Sequence, residues 1–200
     1  MPFFAQTDAP NNDSAPLRQP LAALLDVCER AGFTVHHHEG AGPLQAHAAF
    51  HQRGEGYILS KRATLWAAES HEHLFVYILP HLDMSRWRAI HEDGLTRGRE
   101  QIRPHDEHMV SYVSLLVLCR TLDAEVAHAV RRTRYSKSFW WGLRGWMRLR
   151  ACVVAVPERA GEGGAPGPGR LVSNAAARKS LASLVRAALQ GCFTLTEWKA

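Results

Sequence analysis

The sequence predicts an α+β fold: a single domain with a mainly antiparallel or mixed sheet and helices on both of its faces. Three observations lead there. Between Phe33 and Leu79 the chain runs through short apolar segments of period two, bounded by Gly, Pro or Ser. Four other segments repeat their apolar residues at helical spacing. Two of the strand-like runs, HLFVYIL and MVSYVSLLVLCR, are apolar on both alternating sets, which marks strands covered on both sides. Two hundred residues with 46% hydrophobic content suffice for one substantial core.

Residues 1–19 hold Pro2, Pro10 and Pro16 among Asn, Asp, Ser and Ala. That composition buries too little surface to offset its ordering entropy, so a disordered N-terminal arm is expected. Pro20 opens a helix to about Ala31, with Leu21, Leu24, Leu25 and Cys28 on one face and Gly32 as its stop. FTVHHHEG, LQAHAAFHQ, GEGYILS, ATLWAAES and HLFVYIL read as strands of an antiparallel meander. Asp83 caps a helix from Met84 to Arg103, which Pro104 ends. The strand MVSYVSLLVLCR follows, then a short helix from Ala124 to Arg132 capped by Asp123. In WMRLRACVVAV, alternation turns Met147, Leu149 and Ala151 inward and Trp146, Arg148 and Arg150 outward. The Gly- and Pro-rich stretch 157–169 is a flexible loop whose hairpin returns as the strand Leu171 to Ser173. Asn174 caps a last helix to Gln190 and Gly191 stops it, which sets the domain at 20–191 and leaves 192–200 as a tail.

The longest apolar run, Tyr112 to Cys119, is far shorter than the roughly 20 residues a membrane span needs. The N-terminus shows neither the basic leader nor the apolar centre of a signal peptide. The four cysteines are widely spaced and form no C-x-x-C pair. A cytoplasmic protein with reduced, buried thiols is therefore expected.

Basicity is concentrated in one place. Arg131 to Val156 contains seven of the 24 Lys and Arg residues, three of the six Trp and no acid; those seven exceed the net charge of +5, so the rest of the chain is slightly acidic. Cations that follow phosphates, set beside rings that stack on bases, are the equipment of single-strand nucleic-acid binders. Arg131, Arg132, Arg134, Lys137, Arg144, Arg148 and Arg150 are the candidate contacts for nucleic acid or another polyanion, and Trp140, Trp141 and Trp146 the candidate stacking rings. A membrane-surface reading, with Phe139 to Trp146 at the headgroup level, lacks a clean amphipathic helix because Gly142 and Gly145 interrupt it. Two other readings use the same residues. The tryptophans fill the edge of the core under the Arg methylenes, or a second copy covers them in a homo-oligomer.

Twelve histidines form the second feature. PHDEHM sets His105, Asp106, Glu107 and His108 together, so His105, His108 and Glu107 are candidate ligands for a divalent metal that activates water in a hydrolase. His36 and His38 share one strand face, and His47 and His51 another. No H-E-x-x-H, G-x-S-x-G or phosphate-binding loop is present. That metal is the one cofactor the sequence offers, and whether the chain is an enzyme stays open.

The order helix, meander, helix, strand is similar to that of restriction-endonuclease-like folds, which implies an acid near one strand and an E-x-K on the next. The acids near the meander, Glu55, Glu69 and Glu72, begin no E-x-K, and the pair Glu197 and Lys199 stands in the tail, so an active nuclease is not expected. YILSKRATLWAAES with HEHLF, then PHDEHMVSY, then KSFWWGLRGWMRLR followed by VAV and RLVSN resemble a family of small uncharacterised bacterial proteins. The resemblance spans about residues 55–180. It implies one domain, assigns no residue a role, and makes the Gly- and Pro-rich loop an insertion.

Overall fold

Two long strands that are apolar on both sides, β3 (Ser70–Leu82) and β4 (Val110–Leu122), lie parallel at the middle of the sheet. The computed structural model describes residues 15–39, 42–51, 70–102, 110–138, 146–157 and 167–198. Around the central pair run α1 (Ala15–Arg30), β1 (Thr34–His37), β2 (Leu44–Phe50), α2 (Met84–Gln101), α3 (Ala124–Arg132), β5 (Ser136–Ser138), β6 (Trp146–Ala155), β7 (Gly169–Ser173), α4 (Leu181–Leu189) and β8 (Leu195–Glu197). The sheet order is β1-β2-β3-β4-β6-β7-β8, and β5 pairs with the first residues of β6.

The sheet is mixed. β1, β2 and β3 form the expected antiparallel meander, while β4 lies parallel to β3 and β6 parallel to β4. A parallel neighbour needs a crossover, and α2 and α3 supply it. Both pack on the same face, as right-handed crossovers stepping in one direction across a sheet require. There Phe75, Tyr77 and Leu79 meet Trp87, Ile90, Val126 and Val130. Leu74, Val76 and Ile78 point the other way, into a core with Leu17, Leu24, Cys28, Leu181 and Val185 from α1 and α4.

Several boundaries differ from the sequence reading, each for a visible reason. α1 starts at Ala15 and takes Pro20 inside it. Leu17 is fully buried with Leu24 and Cys28, and its burial offsets the one backbone bond that Pro20 removes. Residues 15–19 therefore belong to the domain, while 1–14 lie outside the described residues. Gly32, at φ +89°, ends the turn as expected. β2 pairs directly with β3, Ala49 opposite His73, and the two strands read between them fall, except for Ser70, outside the described residues. The tail forms β8, parallel to β7, with Gly169 opposite Leu195.

Asn174 does not open a helix directly, since α4 begins at Leu181. Its buried amide accepts from the Ala151 and Ala177 backbone N–H groups and donates to the Thr133 and Leu149 carbonyls. It clasps β6, the end of β7 and the exit of α3, a use of its whole hydrogen-bonding capacity that local sequence does not disclose.

Asp83 does cap α2 as expected: its Oδ1 accepts from the Arg86 backbone N–H at 2.8 Å. That bond, with the Arg86 guanidinium, holds the carboxyl below the ordinary carboxylate range. Asp83→Ala is expected to cost about 1 kcal/mol in chemical denaturation. Because the folded-state value is depressed, the stabilisation is present above the unfolded carboxylate value and is lost as pH falls through the folded one. The gap between wild type and variant should narrow in acid; an unchanged gap at the lowest pH would refute the capping role.

Candidate functional site

The sheet divides the basic aromatic stretch into an exposed rim and a buried anchor. At the start of β6, Trp146 is 43% exposed and Arg148 is exposed, while Met147 and Leu149, which alternate with them, are buried. β5 flanks this edge, Ser138 opposite Trp146 and Ser136 opposite Arg148. Arg132, Arg134 and Lys137 are exposed along the run from α3 into β5, and Arg131 is half-buried. Trp140, Trp141 and Arg144 lie outside the described residues.

Arg150 departs from the expected outward set. It shares the face of Trp146 and Arg148, but its register opposite Ser114 sets it one step deeper, and it is 9% exposed. Its Nη1 donates to Glu72 Oε2 at 2.8 Å, and its guanidinium lies 3.4 Å from the centre of the Tyr112 ring. Ser114 Oγ donates to the other Glu72 oxygen. Burial raises the Glu72 carboxyl above its ordinary range, against the pull of Arg150 and Ser114. Glu72, one of the acids a nuclease reading would need, is thus occupied by a guanidinium.

His105, Glu107 and His108 lie outside the described residues, as does Asp106. The described strands bring different histidines together. Antiparallel pairing with Ala49 opposite His73 and Phe50 opposite Glu72 puts His47 and His51 on one face with His71, His73 and Phe75. His47 Nε2 stands 3.2 Å from His73 Nδ1, and His51 Nδ1 stands 2.9 Å from His71 Nδ1. Ring centroids are 5.3 Å apart for His47 and His73, 5.6 Å for His51 and His73, and 5.2 Å for His51 and His71. The four rings form an unbroken row. His36, opposite His47 across the β1–β2 pairing, extends it with a 6.2 Å contact.

Phe75 stacks on His47 at 4.6 Å with planes 10° apart, which sets the orientation of that ring. Deeper on the same face the Tyr77 hydroxyl donates to Asp93 Oδ2 at 2.8 Å, and Arg97 Nε donates to both Asp93 oxygens at 3.0 and 2.9 Å. Burial lowers His47 to about 4, helped by His36, His51 and Arg97. Burial lowers His73 to about 4 as well, helped by His47, His51 and His71. Both rings are neutral at pH 7. Alternation along one strand sets His47 with His51, and His71 and His73 join them only through the pairing of β2 with β3. The usable signal was an H-x-x-x-H on one strand and an H-x-H on the next.

Fold and surfaces together define a single-domain α+β protein on a mixed sheet, with no helix among the described residues long and apolar enough to cross a membrane. Residues 30–161 match the model of a family described as a domain of unknown function (DUF8052), and the chain belongs to that family. No curated protein and no solved structure matches the chain. The matched span contains the three resembling stretches up to VAV and stops before RLVSN. No activity comes with the family, so function rests on the surfaces described above.

Proposed function

We propose that the chain is a binding or accessory domain that takes nucleic acid or another polyanion along the β5–β6 edge. The observation supporting this most is Trp146, which stays 43% exposed next to buried Met147 and on the same face as exposed Arg148. A large ring left in water at a cationic edge is the arrangement that stacks on a base while phosphates meet the cations. Arg132, Arg134 and Lys137 supply further exposed cations on the approach to β5, with Arg131 partly exposed behind them. Trp140, Trp141 and Arg144 belong to the same proposal through their place in the sequence. A divalent-metal hydrolase centred on His105, Glu107 and His108 is the alternative.

The test is fluorescence anisotropy of labelled single- and double-stranded oligonucleotides at low and near-physiological salt. Wild type should bind with a logarithmic salt slope of about −0.7 to −0.9 per phosphate contacted. Trp146→Ala should weaken single-strand binding by about 1–3 kcal/mol, and Arg148→Ala should reduce the salt slope by about one contact. No binding at low salt would overturn the reading. A dimer by light scattering that dissociates in Trp146→Ala would replace it with a self-association surface.

A further inference from the structure

We propose that Tyr112 and Trp146 form a two-ring platform for an unpaired nucleic-acid strand, with one base on each ring and the linking phosphate on Arg148. The inference rests on the polyanion reading and deepens it, since it names the kind of strand this edge takes and adds a residue from β4.

Strand register builds the platform. β4 and β6 run parallel, with Val110 opposite Trp146, Tyr112 opposite Arg148 and Ser114 opposite Arg150. Alternate positions share a face, so Tyr112, Trp146 and Arg148 stand on the same side of the sheet. There Trp146 is 43% exposed, Arg148 is exposed and Tyr112 is half-buried. Tyr112 and Trp146 are diagonal neighbours, two residues apart along the strand direction and one strand across, which is about 8 Å between Cα atoms. Arg148 links them, directly across from one ring and next on the same face after the other.

The buried ion pair holds one ring in place. The Arg150 guanidinium lies 3.4 Å from the centre of the Tyr112 ring and is itself held by Glu72 at 2.8 Å. A ring backed by a fixed cation is ordered before a base arrives, which lowers the cost of binding. Arg150 and Ser114 donate to the two Glu72 oxygens. The carboxylate beside the ring is thus already compensated and does not oppose a phosphate on Arg148.

Spacing selects the ligand. Successive bases in a duplex lie about 3.4 Å apart along each strand and cover one another, so rings about 8 Å apart cannot stack on two of them. An unpaired strand splays its bases onto separate side chains. Stacking on ring faces tolerates any base, so the platform selects for single-strandedness and not for sequence.

The full chain is titrated at low salt with labelled oligothymidylate, with oligouridylate of the same length, and with the oligothymidylate annealed to its complement, and anisotropy is read. Wild type should bind a single strand at least about 10-fold more tightly than the duplex. Binding of either single strand supports the platform, and the tighter of the two names its source as DNA or RNA. Tyr112→Leu should weaken single-strand binding about 5- to 150-fold, the loss of one stacked base, while duplex binding, which uses phosphate contacts alone, persists. Tyr112→Phe keeps the ring and should restore the lost affinity. Circular dichroism checks folding. If Tyr112→Leu does not fold, wild type photocrosslinked to an iodouridine-substituted strand decides, with adducts expected on Tyr112 and Trp146. Duplex bound as tightly as single strand, undiminished single-strand affinity in a folded Tyr112→Leu, or adducts on neither ring would overturn the platform and leave the polyanion reading standing. No binding of any of the three probes would remove both.

Discussion

Glu72→Ala is expected to destabilise the fold by about 3–5 kcal/mol, the cost of stranding one member of a buried ion pair, and to lower Tm by roughly 10 °C. Glu72 is 2% exposed and Arg150 9%, and they meet at 2.8 Å with Ser114 on the second carboxylate oxygen. Removing the carboxylate leaves a guanidinium under the Tyr112 ring and a buried Ser114 hydroxyl without its acceptor. Arg150→Ala should cost a similar amount by removing the guanidinium that offsets the desolvation of Glu72. Replacing both, as Glu72→Leu with Arg150→Met, should recover most of the loss, because neither desolvated charge then remains. A double-mutant cycle in urea measures this. A loss below about 1 kcal/mol for Glu72→Ala would mean that the pair behaves as a solvated surface bridge. The result also guards the binding test: Arg150 variants report on folding, whereas Arg148 sits on the same face, exposed, and reports on the ligand.

The contrast between Arg148 and Arg150 shows what was legible in the sequence and what was not. Alternation assigned Trp146, Arg148 and Arg150 to one face, and they do share it. How far along that face the core extends depends on strands β3 and β4 alongside, and their register is not written in β6. The number and order of the helices, the doubly covered strands and helices on both faces followed from periodicity, since 3.6 and 2 are local properties of the chain. The parallel pairing of β3, β4 and β6 could have been inferred from an 18-residue helix between two doubly apolar strands. β5 and β8, three residues each, have no pattern long enough to read. The histidine row is legible only once Ala49 is set opposite His73, because two half-patterns 20 residues apart combine through that register.

Gly98→Ala should destabilise the protein by about 1–3 kcal/mol, the cost of overpacking, although alanine in a helix interior ordinarily gains roughly 1 kcal/mol over glycine. Packing decides the sign. A Cβ at position 98 would lie 2.4 Å from Val113 Cγ2, 2.8 Å from its Cγ1 and 3.2 Å from its Cβ. Val113 is β-branched and fully buried at the centre of the sheet, so no rotamer clears all three contacts. One turn earlier, a Cβ at Gly94 would meet Leu115 Cδ2 at 2.2 Å. There the obstacle is mainly the end of a longer side chain, and Gly94→Ala should be the milder change. The two glycines, four residues apart on one face of α2, allow the helix to lie close on β4, and with it the Asp93 and Arg97 groups beside the histidine row. Val113→Ala should therefore relieve Gly98→Ala, giving a double variant more stable than additivity allows. Urea midpoints at constant m-value measure each step. A stabilised Gly98→Ala would show that α2 rides higher on the sheet than this packing has it.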